Sequence, residues 1–587
     1  MRTLDDLRRE LARMDGRGYP AYRDLQGAWN LGPAVLHVDH VQSDPYAPPS
    51  KIRLVLDRAA TAVPAELVRE HSQRVAAGDH LNRVFCAALQ RVTPSGHDKS
   101  AGSLRMMTPG QQVLERTAVL VDRERVELRL EAALPAGGRR IRGRAATALL
   151  AEALPEAVER SLLPGALDVE ALRKHVELVL DQLDLQSQLR ERGLIAFVGE
   201  GSILPRASGD SDLPLRRGAQ PLQCPETLRT SFELPSGRMV TGMGIPEGIT
   251  VIVGGGYHGK STLLRALERG IHPHIAGDGR EWVLTRPDAV SIRAEDGRSV
   301  AGTDISPFIG GLPQGTDTSA FVTGNASGST SQAAGLVEAL EARSPALLID
   351  EDTSATNFMI RDARMRALIP ADAEPITPFM DRIGPLRRQL GVSTVLVAGG
   401  SSAFFEAADH VIAMESYQPR DATAQVRQLI AEQPAALEEG DDELFPHGVD
   451  RVLPAGALGA PRRDGGSERG RRERGSSGNG ERPKPSRARG LHTIQRGHED
   501  VDLSALAQLM EPGQTQAIAL ALDAAAGHLD GTTTAAAAID RVLETIDRDG
   551  LDTLSAHRGH PGDMARPRRA EILAALSRCR SLAERSS

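Results

Sequence analysis

A glycine-rich segment near the middle of the chain constrains the fold more than any other feature. Residues 249–264 read ITVIVGGGYHGKSTLL, in which an apolar run leads into G-x-x-x-x-G-K-S and a helical pattern follows. This order of strand, loop and helix is typical of a phosphate-binding loop (P-loop), because the glycines let backbone N–H groups wrap phosphates and the helix N-terminus adds positive potential. A glycine-rich turn that matched the motif by chance would not be expected to have an apolar strand before it and a helical pattern after it.

The residue types in the P-loop predict a nucleotide site for ATP and Mg²⁺. Lys260 would place a point charge between the β- and γ-phosphates and take part in catalysis, and Ser261 would offer its hydroxyl to Mg²⁺. The candidate nucleotide-binding residues of this segment are Gly254, Gly255, Gly256, Gly259, Lys260, Ser261 and Thr262.

A second candidate segment, ALLIDEDTSATN at 346–357, is an apolar strand that ends in two carboxylates. Asp350 is the candidate metal ligand, and Glu351 is the candidate catalytic residue that orients and deprotonates the attacking water. In isolation such a pair is often a solvated turn. Its position about 90 residues after Lys260 favours the catalytic interpretation.

Strand-like and helical patterns alternate through the central part of the chain. Strands predicted at 194–199, 239–245, 249–256, 345–350 and 393–399 are interspersed with helical patterns, which indicates an α/β P-loop NTPase core with parallel strands.

The patterns divide the chain into four parts. We expect an α+β N-terminal domain over 1–163, the P-loop ATPase domain over 164–440, a linker over 441–500 and a small helical C-terminal domain over 501–587. Within the linker, residues 461–490 carry nine Arg and one Lys against four acidic residues and are rich in Gly, Pro and Ser. Such a segment cannot bury a core, so the sequence predicts that it is disordered.

Composition excludes several classes of protein. A formal net charge of −8 over 587 residues is incompatible with a uniformly basic coat for nucleic acid. The three cysteines, Cys86, Cys224 and Cys579, are far apart and form no CxxC, so neither a disulfide scaffold nor a cysteine zinc cluster is expected. No signal peptide or apolar stretch of about 18 residues is found, which favours a cytoplasmic protein without a membrane span.

Two groups outside the P-loop are weaker candidates for metal ligation. His37, Asp39 and His40 form HVDH in a predicted strand, and His272 and His274 lie in a loop after the P-loop helix. Each group lacks an evident third ligand on its own face. A half-exposed polar strand face explains the first group at least as well.

Nucleic-acid binding is a candidate role for two further segments. The basic tract at 461–490 is either a solvated tether or an electrostatic clamp on a polyanion. It has no aromatic residue, so base stacking would have to come from Tyr19, Tyr22 and Trp29, which lie near basic residues in the sequence. Hydrophobic packing of these three rings on their own domain is the alternative.

With these motifs in place, the chain resembles the ATP-binding-cassette (ABC) ATPases. NASGSTSQA at 325–333, here called the signature loop, looks like a variant of the family's LSGGQ sequence, with Ser327, Gly328 and Ser329 in place of its serine and glycines. The resemblance implies that these three residues cap the γ-phosphate held by the P-loop of an opposing subunit. SATN at 354–357 stands where the family's D-loop is expected.

More closely, the chain is similar to the predicted ATPases of the ABC class, soluble bacterial proteins with their own N-terminal domain. The shared words include GGGYHGKSTLL, DISPFIGGLP, LLIDEDTSATNFMIRD, HVQSDPYAPPS and GSILPR. The resemblance implies a cassette in the middle of a three-part protein that functions as a head-to-tail homodimer.

Two positions depart from the general cassette pattern, and a third is a candidate match to it. Gly399 stands nearest to the place of the switch histidine, Asp352 replaces the usual proline after Asp-Glu, and Gln314 is the candidate for the Q-loop glutamine. The missing histidine leaves open whether turnover is fast.

The sequence therefore predicts a Mg²⁺-dependent ATPase that clamps or remodels a nucleic acid, with RNA favoured. One alternative is a nucleotide-gated protein-interaction switch with slow or no hydrolysis. A less favoured alternative is the ATPase subunit of a transporter.

Overall fold

The structure of the chain is a computed structural model. The structure describes residues 1–93, 102–312, 315–361, 363–369, 373–432, 443–459, 485–555 and 560–582. Within these ranges, none of the helices combines the length and apolar character that crossing a membrane requires.

The N-terminal part is built on a mixed sheet covered by helices. Its strands, in spatial order, are Arg2–Thr3, Gly27–Asn30, Ala34–His40, Ser50–Asp57, Arg125–Ala133 and Ser103–Arg105, with Val119–Val121 also paired to Arg125–Ala133. Only the first pair is parallel. The helices are Leu4–Met14, His71–Val92, Gly143–Thr147 and Leu154–Glu159, with a π-helical segment at Ala148–Ala153. The α+β expectation for this part is confirmed.

Local sequence explains two of these elements. Thr3 and Asp6 form a capping box that begins the first helix, and Leu7, Leu11 and Met14 bury its apolar face. The strand Ala34–His40 alternates buried and half-exposed residues, as the period of two requires.

A long helix, Val169–Glu191, joins the N-terminal part to the central part. Leu172 and Val176 in its first half pack into the core of the N-terminal sheet. Leu185 and Leu189 in its second half pack against Phe197 and Phe232, which belong to an antiparallel sheet of the central part. This helix therefore belongs to both cores.

The central part contains a six-stranded sheet that carries the P-loop. Its order is Val290–Ile292, Ala346–Asp350, Ser393–Val397, Ile249–Gly254, His410–Glu415 and Gln418–Asp421. All neighbours are parallel except the final pair. The surrounding helices are Lys260–Arg269, Gly328–Glu341, Thr356–Met359, Ala363–Leu368, Phe379–Leu390 and Thr423–Glu432. The α/β core that the sequence predicts is confirmed.

A separate antiparallel sheet accounts for two strands that the alternation argument placed in the parallel sheet. Its order is Arg229–Glu233, Met239–Pro246, Leu194–Gly199 and Val283–Thr285. The expectation was wrong for Leu194–Gly199 and Met239–Pro246, because an apolar run predicts a strand without specifying its partner. A two-stranded ribbon pairs Val300–Thr303 with Phe321–Thr323.

The C-terminal part combines three helices with a small sheet. The helices are Pro512–Ala525, Ala535–Asp549 and Arg569–Ser577, and the antiparallel strands are Arg487–Ala488, Thr493–Arg496 and Glu499–Asp502. The small C-terminal domain is confirmed, but its sheet was not predicted.

The linker expected at 441–500 is therefore folded at both ends. Residues 487–500 lie in the C-terminal sheet, and Leu453, Ala457 and Leu458 are buried in the C-terminal core. Residues 460–484, which include most of the basic tract, lie outside the described ranges.

The C-terminal part contacts the end of the P-loop helix. The amide of Gln508 donates to the carbonyl oxygens of Glu268 and Ala289 over 3.3 and 3.2 Å, and its oxygen accepts from the N–H of Ser291. Arg569 donates to the carbonyl of Glu341, the last residue of the helix Gly328–Glu341, over 2.8 Å. The C-terminal part therefore contacts the C-terminal ends of this helix and of the P-loop helix.

Candidate functional site

Two glycines of the P-loop are required by its backbone path. Gly254 has φ +140°, and a Cβ there would lie 2.4 Å from the carbonyl oxygen of Met414. Gly259 has φ +98° and immediately precedes the helix Lys260–Arg269. Left-handed backbone and close approach to a neighbouring strand both favour glycine. The sharp turn that follows strand Ile249–Gly254 thus follows from the sequence.

Lys260 folds back over the loop. Its Nζ donates to the carbonyl oxygens of Gly254 and Gly255 over 2.6 and 3.1 Å, and the side chain is nearly buried. These carbonyls hold the ammonium at the mouth of the loop. A phosphate oxygen entering the loop would meet this charge directly.

Ser261 and Asp350 come together across the sheet. Asp350 ends the strand Ala346–Asp350, which is separated from the P-loop strand by Ser393–Val397 alone. Burial raises the pKa of the Asp350 carboxyl, and hydrogen bonds from Asp352 and from the Ser261 hydroxyl act against that rise.

The hydroxyl and carboxylate of Ser261 and Asp350 fit Mg²⁺, which prefers oxygen ligands. The described residues contain no cluster of three or more His, Cys, Asp or Glu side chains able to hold a metal ion. Mg²⁺ does not need one, because it commonly binds through one or two carboxylates together with substrate phosphates and water.

Glu351 is fixed by the backbone of the next strand. Its Oε2 accepts a hydrogen bond from the N–H of Gly399, with 2.5 Å between the two atoms. A Cβ at position 399 would lie 3.2 Å from Oδ1 of Asp352 and 3.5 Å from Oε2 of Glu351. The glycine found near the expected place of a histidine thus lies directly against both carboxylates.

The signature loop begins the helix Gly328–Glu341. Ser327 is the N-cap of this helix, and its Oγ lies 3.3 Å from Oγ of Ser329. Gly328 packs so closely that a Cβ would lie 3.3 Å from Oδ1 of Asp296. The signature loop therefore forms the N-terminus of this helix.

Gln332 is a residue whose role the sequence did not reveal. Its side chain is buried, donates to Oγ of Ser354 over 3.0 Å and accepts from the N–H of Ala355 over 2.8 Å. Ser354 in turn donates to the carbonyl of Asp350 over 2.9 Å. One glutamine therefore ties the signature loop to the SATN segment and, through it, to the acidic strand end.

The sequence also gave no sign that Tyr257 and the turn at 416–417 shape the P-loop. Tyr257 has φ +64° and a side chain that is 97% exposed, which is unusual for a bulky residue. Ser416 donates its N–H to Nδ1 of His258, and Tyr417 packs over Gly259. The turn of the edge hairpin thus braces the P-loop from outside.

The structure excludes the aromatic stacking candidates. Tyr19, Tyr22 and Trp29 are at most 1% exposed and pack within the N-terminal core. Their polar atoms bond to main-chain or buried partners, as the Tyr22 hydroxyl does to the carbonyl of Pro135 over 2.7 Å. Of the two interpretations that the sequence left open, base stacking is therefore excluded, and hydrophobic packing of the rings on their own domain is confirmed.

Two members of the weaker metal candidates, Asp39 and His274, bind protein groups. Asp39 forms a two-point ion pair with Arg53. His274 is fully buried, with Nδ1 2.7 Å from Oδ2 of Asp278. The candidate Q-loop residue Gln314 lies outside the described residues.

A parallel sheet with a P-loop, an acidic strand end and a signature-type helix defines a P-loop NTPase of the ABC type. Comparisons with family models agree along most of the chain: the P-loop domain of the ABC_ATPase family matches 168–448, and the model described as ATPase of the ABC class N-terminal matches 4–164. A third model, the MRB1590 C-terminal domain, matches 486–585. The chain belongs to the ATPases of the ABC class.

Individual relatives are more distant. An uncharacterized protein of Methanocaldococcus jannaschii is 29% identical over 266 residues, which cover 43% of this chain. The chain spans 57% of the length of that curated relative.

Two solved structures resemble part of this chain. CbiO1 from Clostridium perfringens, part of the ABC transporter complex cbiONQ, is 14% identical with a TM-score of 0.25, and the match covers 41% of this chain and 96% of that one. A bacterial Atm1-family ABC exporter with ATP bound is 16% identical with a TM-score of 0.24, covering 51% and 54%.

Proposed function

We propose that this protein binds ATP with Mg²⁺ and hydrolyses it. The observation that carries this proposal is the meeting of Lys260, Ser261, Asp350 and Glu351 at one edge of the parallel sheet. Lys260 and the N–H groups of the P-loop would hold the phosphates, and Ser261 with Asp350 would hold the metal. When bound, Mg²⁺ neutralises charge that develops on the transferring phosphoryl group.

Glu351 is the residue that we assign to the attacking water. Its hydrogen bond from Gly399 holds the carboxylate at the strand end without the help of a histidine. A carboxylate so placed can accept the proton of water as the oxygen attacks the γ-phosphate. Lys260 contributes electrostatic stabilisation and is not a proton donor in this scheme.

A head-to-tail dimer is the assembly that we propose for turnover. Hydrogen bonds fix the signature loop and its helix at two points. Ser331 Oγ accepts from the N–H of Glu295 over 2.8 Å, and the side chain of Gln332 accepts from the N–H of Ala355 in the SATN segment. Ser327, Gly328 and Ser329 therefore stand at the N-terminus of a braced helix, where an incoming γ-phosphate from an opposing P-loop would be favoured.

The ligand that this dimer would clamp is a nucleic acid, with RNA favoured. The support is the basic tract at 461–490, whose charge favours salt-dependent phosphate binding. The structure describes the tract from residue 485 onward, and two of its residues there, Ala488 and Gly490, line a cleft together with Lys51 and Arg105. Glu131 and Asp563 also line this cleft, so its positive charge is partly compensated.

Gly399 favours a second candidate function, a nucleotide-gated switch with slow hydrolysis. Without an imidazole near Glu351, the site has one fewer group to sense the γ-phosphate. Single-turnover kinetics distinguish the two: a switch would bind ATP tightly and cleave it much more slowly than it exchanges partners.

Exchange of Glu351 for Gln tests the main proposal. We expect Glu351→Gln to bind ATP with unchanged affinity and to lose at least about 100-fold in turnover, because the proton acceptor is removed. Glu432→Gln, at an exposed position at the end of the helix Thr423–Glu432, is the matched control and should keep full activity. Equal turnover in the two variants would refute the role of Glu351.

The polymer is tested separately. ATPase rates are measured with RNA, single-stranded DNA and duplex DNA at two salt concentrations. Stimulation by RNA that fades as salt rises is the expected result. Absence of stimulation by all three, with ATP hydrolysis intact, would reject the nucleic-acid role and leave the ATPase assignment standing.

A further inference from the structure

A cavity of about 710 Å³ lies beside the P-loop helix and is not part of the P-loop itself. Three segments enclose it: the loop that follows GSILPR, the outer face of the helix Lys260–Arg269, and the C-terminal segment around His492 and Leu509. Its volume lies in the range of small-ligand sites. Thr262, Arg265 and Arg269 share the face of the P-loop helix that lines it.

Positive charge dominates the lining. Five arginines line the cavity: Arg206, Arg265, Arg269, Arg280 and Arg293. Three carboxylates face them: Asp210, Asp212 and Glu268. Two of the arginines are neutralised by the protein, since Arg206 pairs with Asp278 over 2.7 Å and Arg293 pairs with Glu268 over 3.3 Å.

The remaining three arginines have no carboxylate partner among the described residues. Arg280 is only 3% exposed, and its Nε and Nη2 both donate to the carbonyl oxygen of Leu204. Arg269 donates to the carbonyl of Leu509 over 3.0 Å and to Sδ of Met510. Arg265 is exposed and forms no ion pair with a described residue. Arg280 is the buried member of these three, and a buried guanidinium is ordinarily paired with an anion, so the lining lacks a partner for this charge.

Two further observations point to an anion in the cavity. Nε of Arg206 is buried and has no hydrogen-bond partner among the described residues, since the carboxylate of Asp212 approaches it only to 3.8 Å. Burial, followed by repulsion from Arg206, lowers the pKa of the Arg280 guanidinium to about 9. Both groups would be stabilised by an acceptor that carries negative charge.

We propose that this cavity is a second anion site, which binds a phosphate group carried by a small molecule or by the end of an oligonucleotide. Guanidinium forks suit phosphate oxygens because they donate two parallel hydrogen bonds. Arg206, which belongs to the GSILPR word, supplies part of the floor, so the proposal gives that motif a role that the P-loop does not explain.

Pyrophosphate titration of the full chain tests the proposal. The background is Lys260→Ala, which weakens phosphate binding at the P-loop and leaves the cavity intact. We expect calorimetry to detect pyrophosphate binding in this background and Arg265→Gln to weaken it at least 10-fold, with a larger loss for Arg265→Glu. Arg217→Gln removes an exposed arginine that does not line the cavity and should leave binding unchanged.

The source of the phosphate is resolved by competition. AMP and an oligoribonucleotide with or without a 5′-phosphate are added to the pyrophosphate complex. Displacement by AMP assigns a small phosphorylated molecule, and displacement that requires the 5′-phosphate assigns an oligonucleotide end. No binding of pyrophosphate in the Lys260→Ala protein, or binding that Arg265→Glu leaves unchanged, would overturn the proposal. Neither result bears on hydrolysis at the P-loop, which Glu351→Gln tests.

Discussion

The carboxylate of Glu351 accepts a hydrogen bond from the backbone N–H of Gly399, across the ends of two adjacent parallel strands. A main-chain donor cannot change its charge or rotamer, unlike the imidazole that the cassette pattern places near this position. The backbone of the sheet therefore sets the orientation of the Glu351 carboxylate. Turnover should depend on the shape of the backbone at 399 more than on any side chain there.

Gly399→Ala should lower turnover about 10-fold while leaving ATP affinity close to normal. The new Cβ would lie 3.2 Å from Oδ1 of Asp352, close enough to require a shift of that side chain, and the shift would disturb the neighbouring Glu351, whose Oε2 lies at a contact distance of 3.5 Å. Gly400→Ala is the control, because a Cβ there meets no atom within 4 Å. Steady-state ATPase rates and nucleotide titration measure the two effects. Identical rates for the two variants would show that the contact has no role in turnover.

Tyr257 holds a left-handed backbone conformation that costs a tyrosine free energy. We expect Tyr257→Gly to have a free energy of unfolding about 0.5–1 kcal/mol larger than Tyr257→Ala, since glycine relieves the strain while both variants lose the same exposed ring. Denaturant titration of the two variants gives the difference. A more stable alanine variant would mean that the backbone at 257 is not strained in solution.

Arg116 links the N-terminal and C-terminal parts of the chain. It donates to both carboxylate oxygens of Glu511 at 2.9 Å and to Oδ1 of Asp79 at 2.5 Å, and all three side chains are buried. We expect Arg116→Met to lower the free energy of unfolding by about 3–5 kcal/mol, because it leaves buried carboxylates without their partner.

A double-mutant cycle isolates the Arg116–Glu511 pair. Adding Glu511→Leu to Arg116→Met should cost less than the sum of the two single changes, because the unpaired carboxylate is then removed. Arg8→Gln, which breaks an exposed pair with Asp5, is the control and should cost under about 1 kcal/mol. Strict additivity in the cycle would count against a direct ion pair.

Stability should fall as the pH is lowered from about 6.5 to about 4. Burial, together with the nearby His175, lowers the pKa of His80 to about 4, so the fold keeps this ring neutral while the unfolded chain protonates it near 6.5. The unfolded state then binds more protons, and the free energy of unfolding rises with pH over this interval. Arg83 adds to the lowering, whereas Asp79 and Asp168 oppose it.

His80→Phe should flatten this pH dependence. The ring is replaced by one of similar shape that does not titrate, so the variant loses less stability than the parent between pH 6.5 and 4. His40→Gln, at an exposed position, is the control and should retain the parental slope. Denaturant titrations at several pH values give the slopes, and parallel curves for parent and His80→Phe would contradict the assignment.

Features encoded in contiguous residues could be predicted from the sequence. The helical pattern that follows the P-loop is observed as the helix Lys260–Arg269, because a glycine-rich turn between an apolar strand and a helical pattern is a local arrangement. The same holds for the carboxylates at the end of Ala346–Asp350. Both depend on residues within a few positions of one another.

Features that depend on distant partners could not be predicted. The strands Thr493–Arg496 and Glu499–Asp502 are short and polar, so composition grouped them with the linker. Gln332 connects two segments only because the helix Gly328–Glu341 packs beside the SATN turn. Buried arginines carry no periodic signal, so the cavity along the P-loop helix became visible only in three dimensions.

The pairing of Arg116 with Glu511 spans 395 positions of the chain. At ribosomal rates of about 5–20 residues per second, Glu511 is made about 20–80 s after Arg116. During that interval the guanidinium of Arg116 would lack Glu511 and keep Asp79 as a carboxylate partner. A nascent chain that stops before Glu511 would therefore leave exposed an ion pair that the later segment covers.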